Sequence, residues 1–87
     1  MILYFQDSQG KLREIAQFED GKSDKEYLDA AHKEIVRFCN TRGYAIPYVR
    51  IWNKHHDGKQ ITTFDVGSHT EFFFLSTAVN IKAGMFE

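Results

Sequence analysis

The sequence predicts an α+β fold: an antiparallel sheet of four to five strands in the order β-β-α-β-β, with one α-helix packed on one face. Three features point there. Residues 24 to 42 alone repeat apolar side chains at helical spacing. β-prone, aromatic-rich runs lie on both sides of that stretch, and two of the gaps between these runs are short polar segments suited to hairpin turns.

The first hairpin is built from Met1 to Gln6 and the returning run KLREIAQF at 11 to 18, joined by DSQG at 7 to 10 with its closing glycine. Glu19 to Lys22, containing Gly21, then forms a loop. Ser23 and Glu26 stand three apart, as a capping box requires, and mark a helix start. Leu28, Ala31, Ile35, Phe38 and Cys39 fall on one stripe, whereas Asp24, Lys25, Asp29, Lys33 and Arg37 mostly lie off it. Arg37 and Arg42 suit the negative end of the helix dipole, and Gly43 supplies a left-handed closing residue. Pro47 prevents the helix from resuming.

Tyr48 to Asn53 and Gln60 to Val66 form a second hairpin around Asp57-Gly58. Gly67 and Ser68 interrupt the chain before Glu71 to Leu75 resumes as strand, so a turn or bulge is expected there. Weak strand character recurs around Val79 to Lys82. With 87 residues and no linker, repeat or low-complexity segment, residues 1–87 are expected to form a single domain. Aromatic residues make up 15% of the chain, so its core is expected to rest on rings.

Strand alternation places Tyr48, Arg50, Trp52 and Lys54 on one side of the sheet and Val49, Ile51 and Asn53 on the other. The aliphatic set suits the helix-covered core, as do Phe64 and Val66. A single helix covers one face, so the aromatic and cationic set is left for water or a partner. Reversed parity would instead put Tyr48 and Trp52 in the core.

Asp65, Ser68, His69 and Glu71 look catalytic at first sight. In an extended strand each residue advances about 3.3 Å, which separates Asp65 from His69 by roughly 13 Å and forbids a local triad. A turn explains the group better, with the Asp65 carboxylate accepting from the Gly67 or Ser68 amide. Ser68 lacks the G-x-S-x-G elbow, and Cys39 lies on the packed side of the helix, where thiols are inert. His55 and His56 point to opposite faces, and neither H-x-x-x-H nor H-E-x-x-H occurs. The expectation is therefore no enzyme activity, no metal and no cofactor.

Asp65 to Phe73, DVGSHTEFF, resembles a stretch that ends many small proteins encoded by phages and prophages of Gram-positive bacteria, where it reads DVGSHTEFF or DVGSWTEFF. The Tyr48 to Trp52 strand and the MILYFQD opening are loosely similar, so the resemblance covers about half the chain. TAVNIKAGMFE departs from the pattern, which often stops soon after the phenylalanines. The resemblance implies a setting more than a chemistry: a viral accessory protein in the host cytoplasm, and by analogy an anti-defence or anti-CRISPR-type inhibitor of a host protein.

The net charge of -1 creates no global field for phosphate or anionic lipid. Cys39, the sole cysteine, forms no intrachain disulfide, which fits a reducing compartment. MILYF is broken by Gln6 and Asp7, so neither export nor membrane insertion is expected. The leading expectation is a non-enzymatic binding protein, homodimeric or bound to a host protein. Tyr48, Arg50, Trp52 and Lys54 would form its sheet-face site, and Asp65, Ser68, His69 and Glu71 its turn. Two alternatives remain. One is a nucleic-acid-binding module in which Tyr48 and Trp52 stack on bases while Arg50, Lys54 and Lys59 neutralise phosphates. The other is a dimer that captures a small nucleotide signal.

Overall fold

Apolar content orders the sheet. A strand buried on both faces reads as a continuous apolar run, and a strand at the rim tolerates charge. The computed structural model describes residues 1–7, 9–43, 49–66 and 72–81, with the backbone alone at His56 and Phe72. Among these residues five strands form one antiparallel sheet in the order β2-β1-β5-β4-β3. The runs ILYFQ of β1 (Ile2–Gln6) and FFFL of β5 (Phe72–Leu75) are central or next to centre. LREIAQ of β2 (Leu12–Gln17) and RIWNKHH of β3 (Arg50–His56) are the edges, and β4 (Lys59–Asp65) lies between β3 and β5. The chain is α+β in the order that the sequence predicts.

Helix α1 (Asp24–Arg42) begins and ends where its sequence signals stand. The Ser23 hydroxyl accepts from the Glu26 amide at 3.2 Å, and the Glu26 carboxylate accepts from the Ser23 amide at 3.1 Å. Gly43, at φ 73°, sends its N–H back to the last turn. The buried stripe contains Leu28, Ala31, Ile35 and Cys39 as expected, and also Tyr27. Tyr27 is admitted because its hydroxyl donates to the Glu19 carbonyl at 2.9 Å.

Both expected hairpins form. In the first, the Asp7 carboxylate accepts from the amides of Gln9 and Lys11, each at 2.9 Å. In the second, Asp57 and Gly58 have φ values of 51° and 76°, the left-handed pair that a two-residue turn between twisted strands demands. Nothing lies within 4 Å of where a Cβ would stand on Gly58, so its need for glycine is conformational.

The helix-side core is a layer of Leu3, Phe5, Phe64, Phe73 and Leu75 from the strands, with Val66 just past β4, under Leu28, Ala31, Ile35 and Cys39. Its aromatic centre joins Phe5, Phe38 and Phe73, with ring centroids 4.7, 5.2 and 5.7 Å apart. The Arg42 guanidinium closes this cluster 4.5 Å above the Phe38 ring. A register shift between Leu3 and Tyr4 gives β2 one extra residue, so Ile15 and Ala16 both pack against the core.

The expected break after Val66 lies at a reversal of direction. β5 runs back along β4 with Phe72 opposite Asp65, and residues 67 to 71 lie outside the described residues. The strand tendency expected from Val79 onward is not realised in the described part of that stretch, 79 to 81. Val79 is instead buried in the core. Its N–H donates to the Thr62 hydroxyl at 2.9 Å and its carbonyl accepts from the Asn53 side chain at 3.4 Å. Side chains thus hold the amide and carbonyl that a ladder would need. Lys82 lies outside the described residues.

Candidate functional site

Cross-strand register assigns every described side chain of the sheet to a face. Ile51 stands opposite Phe64 on the helix side, so Arg50, Trp52 and Lys54 point the other way, as alternation predicts. Trp52 is 37% exposed, and the parity that would bury it in the core is not the one observed. Tyr48 lies outside the described residues.

The open face is arranged in rows across the strands. One row runs Trp52, Thr63, Phe74, Tyr4, Glu14 from the β3 edge to the β2 edge. The next carries Arg50, Asp65, Gln6 and Leu12, and on the far side of the first lie Lys54 and Ile61. Among the described residues no helix or strand lies on this face. Its centre is nonetheless dense, because Phe74 and Thr63 are closed over by their neighbours, and the Lys54 ammonium stands 5.7 Å from the Phe74 ring centroid.

Arg50 and Asp65, expected in separate parts of the site, are brought together. They are opposite residues on β3 and β4, with the guanidinium 3.5 Å from the carboxylate. Asp65 is therefore the last residue of β4 and a cross-strand acceptor on the open face, while its expected turn partners Gly67 and Ser68 lie outside the described residues. Ser68, His69 and Glu71 also lie outside them.

A groove of about 590 Å³ crosses the open face. Tyr4, Leu12, Ile61 and Phe74 supply apolar surface, and Lys54, Asp57 and Lys59 supply charge on the side of the second hairpin. Sequence reasoning missed Tyr4, Leu12, Ile61 and Phe74, which join the site only through the pairing of β1 with β5 and of β4 with β5. Leu12, at 54%, is the most exposed large apolar side chain among the described residues. Its place opposite Gln6 was readable from the first hairpin alone.

Thr63 adds a polar feature. Its hydroxyl is buried between the Trp52 and Phe74 positions and has no hydrogen-bond partner among the described residues. Among the described residues no three histidine, cysteine, aspartate or glutamate side chains gather as a metal site would require, and no helix is long and apolar enough to cross a membrane.

Comparison with known proteins finds no relative: no protein-family model, no curated protein and no solved structure matches the chain.

Proposed function

We propose that this chain is a small non-enzymatic binding protein that docks a macromolecular partner on the open face of its sheet. The observation that carries this reading is a sheet face on which no helix or strand of the described residues lies. It exposes Trp52 at one edge and Leu12 at the other, with an apolar groove between the two hairpins. Small proteins rarely leave so much ring and aliphatic surface in water without use, and exposed tryptophan is the side chain most often found at binding hot spots. Following the DVGSHTEFF resemblance, the partner is a host-cell protein whose activity the chain modulates as a phage accessory factor.

Nucleic acid is the second reading, favoured by Trp52 with Lys54 and Lys59. It has less support because carboxylates interleave with the cations: Asp65 sits against Arg50, and Asp57 shares the groove wall with both lysines. Phosphate binding would also have to weaken steeply with salt.

Capture from a bacterial lysate, read by mass spectrometry with the wild-type chain and with a Trp52→Ala, Leu12→Ser variant, tests the first reading. Both substituted side chains are exposed, so the fold is retained. Specific partners should be lost from the variant; equal recovery by both proteins would move the site off this face. Retention of oligonucleotides on filters at low salt, lost at high salt, would favour the second reading.

A further inference from the structure

Resting on the reading of the open face as a binding surface, we infer that a second copy of this chain covers it, in a face-to-face two-fold pair whose axis runs along β5. Such an axis lies in the interface plane and reverses the order of the strands. β3 of one copy then faces β2 of the other, and β4 faces β1. The rows already described become self-complementary. In the first, Phe74 meets Phe74, Thr63 meets Tyr4, and Trp52 meets Glu14. In the second, Arg50 meets Leu12 and Asp65 meets Gln6.

Charge selects this axis over the alternative. Lys54 stands on the β3 side of the face, where Arg50 is already paired with Asp65, and Glu14 stands on the β2 side. An axis across the strands would set β3 on β3 and β2 on β2, bringing Glu14 against Glu14 and setting Lys54 over an Arg50 that Asp65 already neutralises. The axis along the strands instead brings Glu14 beside Trp52, with Lys54 one row away and long enough to reach it.

The area is sufficient. Five strands spaced about 4.8 Å apart, with up to seven residues rising about 3.3 Å each, make a face roughly 24 by 20 Å. Two such faces bury on the order of 1,200 Å² with their side-chain relief, the lower end of the range for specific interfaces. Sheets that pack face to face align their strands within about 30°, which keeps each row near its partner. A host protein and a second copy would then compete for one surface.

Sedimentation velocity on the full chain, from about 1 to about 100 µM, reads self-association in the micromolar range. The wild type should move from the 10.2 kDa monomer to twice that mass. Glu14→Lys and Lys54→Glu, both at exposed positions, should each raise the dissociation constant at least about tenfold by opposing like charges. The two together should restore most of the loss, with circular dichroism showing all variants folded. A monomer throughout, a dimer unmoved by either reversal, or a double variant without recovery would each overturn the pairing. The binding-face reading fails by a different result, lysate capture unchanged by Trp52→Ala with Leu12→Ser.

Discussion

Thr62 and Thr63 are adjacent on β4 and bury their side chains on opposite faces of the sheet, where their hydroxyls meet different surroundings. On the helix side, the Thr62 hydroxyl donates to the Asn53 side chain at 2.8 Å and accepts from the buried Val79 amide, which ties the segment after β5 to the core. On the open side, the Thr63 hydroxyl has no partner among the described residues. The physical cost of a buried polar group depends on whether its partner is left behind. Thr62→Val should therefore destabilise the fold by about 1–3 kcal/mol, because the Val79 N–H would stay buried and unpaired. Thr63→Val, an equal change in shape, should be neutral or stabilising. Urea denaturation of the two variants side by side checks the contrast, and equal losses would contradict the facial assignment.

At the scale of elements, the parts written in local sequence were legible. Ser23, Glu26 and Gly43 bound the helix because capping needs only residues within one turn of the ends, and Asp57-Gly58 closes its hairpin for the same reason. The Glu26 carboxyl is held below its ordinary value of 4.5, first by the Ser23 backbone N–H, then by the Ser23 side chain, with Lys22 assisting. A carboxyl whose folded pKa is depressed stabilises the fold above its unfolded pKa and loses that contribution as pH falls through the folded value. The capping box should therefore weaken as pH drops below 4.5. Glu26→Ala, which removes the carboxylate, should lower the urea midpoint at neutral pH and lower it less in acid. A shift of the same size at both pH values would remove the carboxylate from the cap.

What was not legible depended on distant partners. Alternation along Tyr48 to Lys54 placed Trp52 on the open face, but nothing within β3 shows that Asp65 will stand opposite Arg50. Val79 read as weak strand because its neighbours are β-prone, and the Thr62 and Asn53 side chains that hold its backbone lie 17 and 26 residues away. Tyr27 was not assigned to the stripe, because the acceptor for its hydroxyl, the Glu19 carbonyl, lies eight residues back in the preceding loop. Tyr4 and Phe74 became site residues only when β1 and β5 were found side by side.

For the whole molecule, small size sets the margin. Stability of about 0.05–0.15 kcal/mol per residue gives roughly 4–13 kcal/mol for 87 residues. Phe73 is fully buried and touches both other rings of the aromatic cluster. Phe73→Ala should cost about 3–5 kcal/mol, a large share of that total, and bring the domain close to unfolding at physiological temperature. A thermal midpoint within a few degrees of wild type would show that the core does not centre on these rings.

The most direct measurement is acrylamide quenching of Trp52, the sole tryptophan, at a protein concentration below about 1 µM, where a standard-size dimer of modest affinity separates. With one face uncovered, the isolated chain should show red-shifted emission that acrylamide quenches readily, and both signs should fade as a second copy or a partner closes over the face. Blue-shifted emission resistant to quencher in the monomer would mean that the indole is enclosed within a single copy, and the open face would not exist.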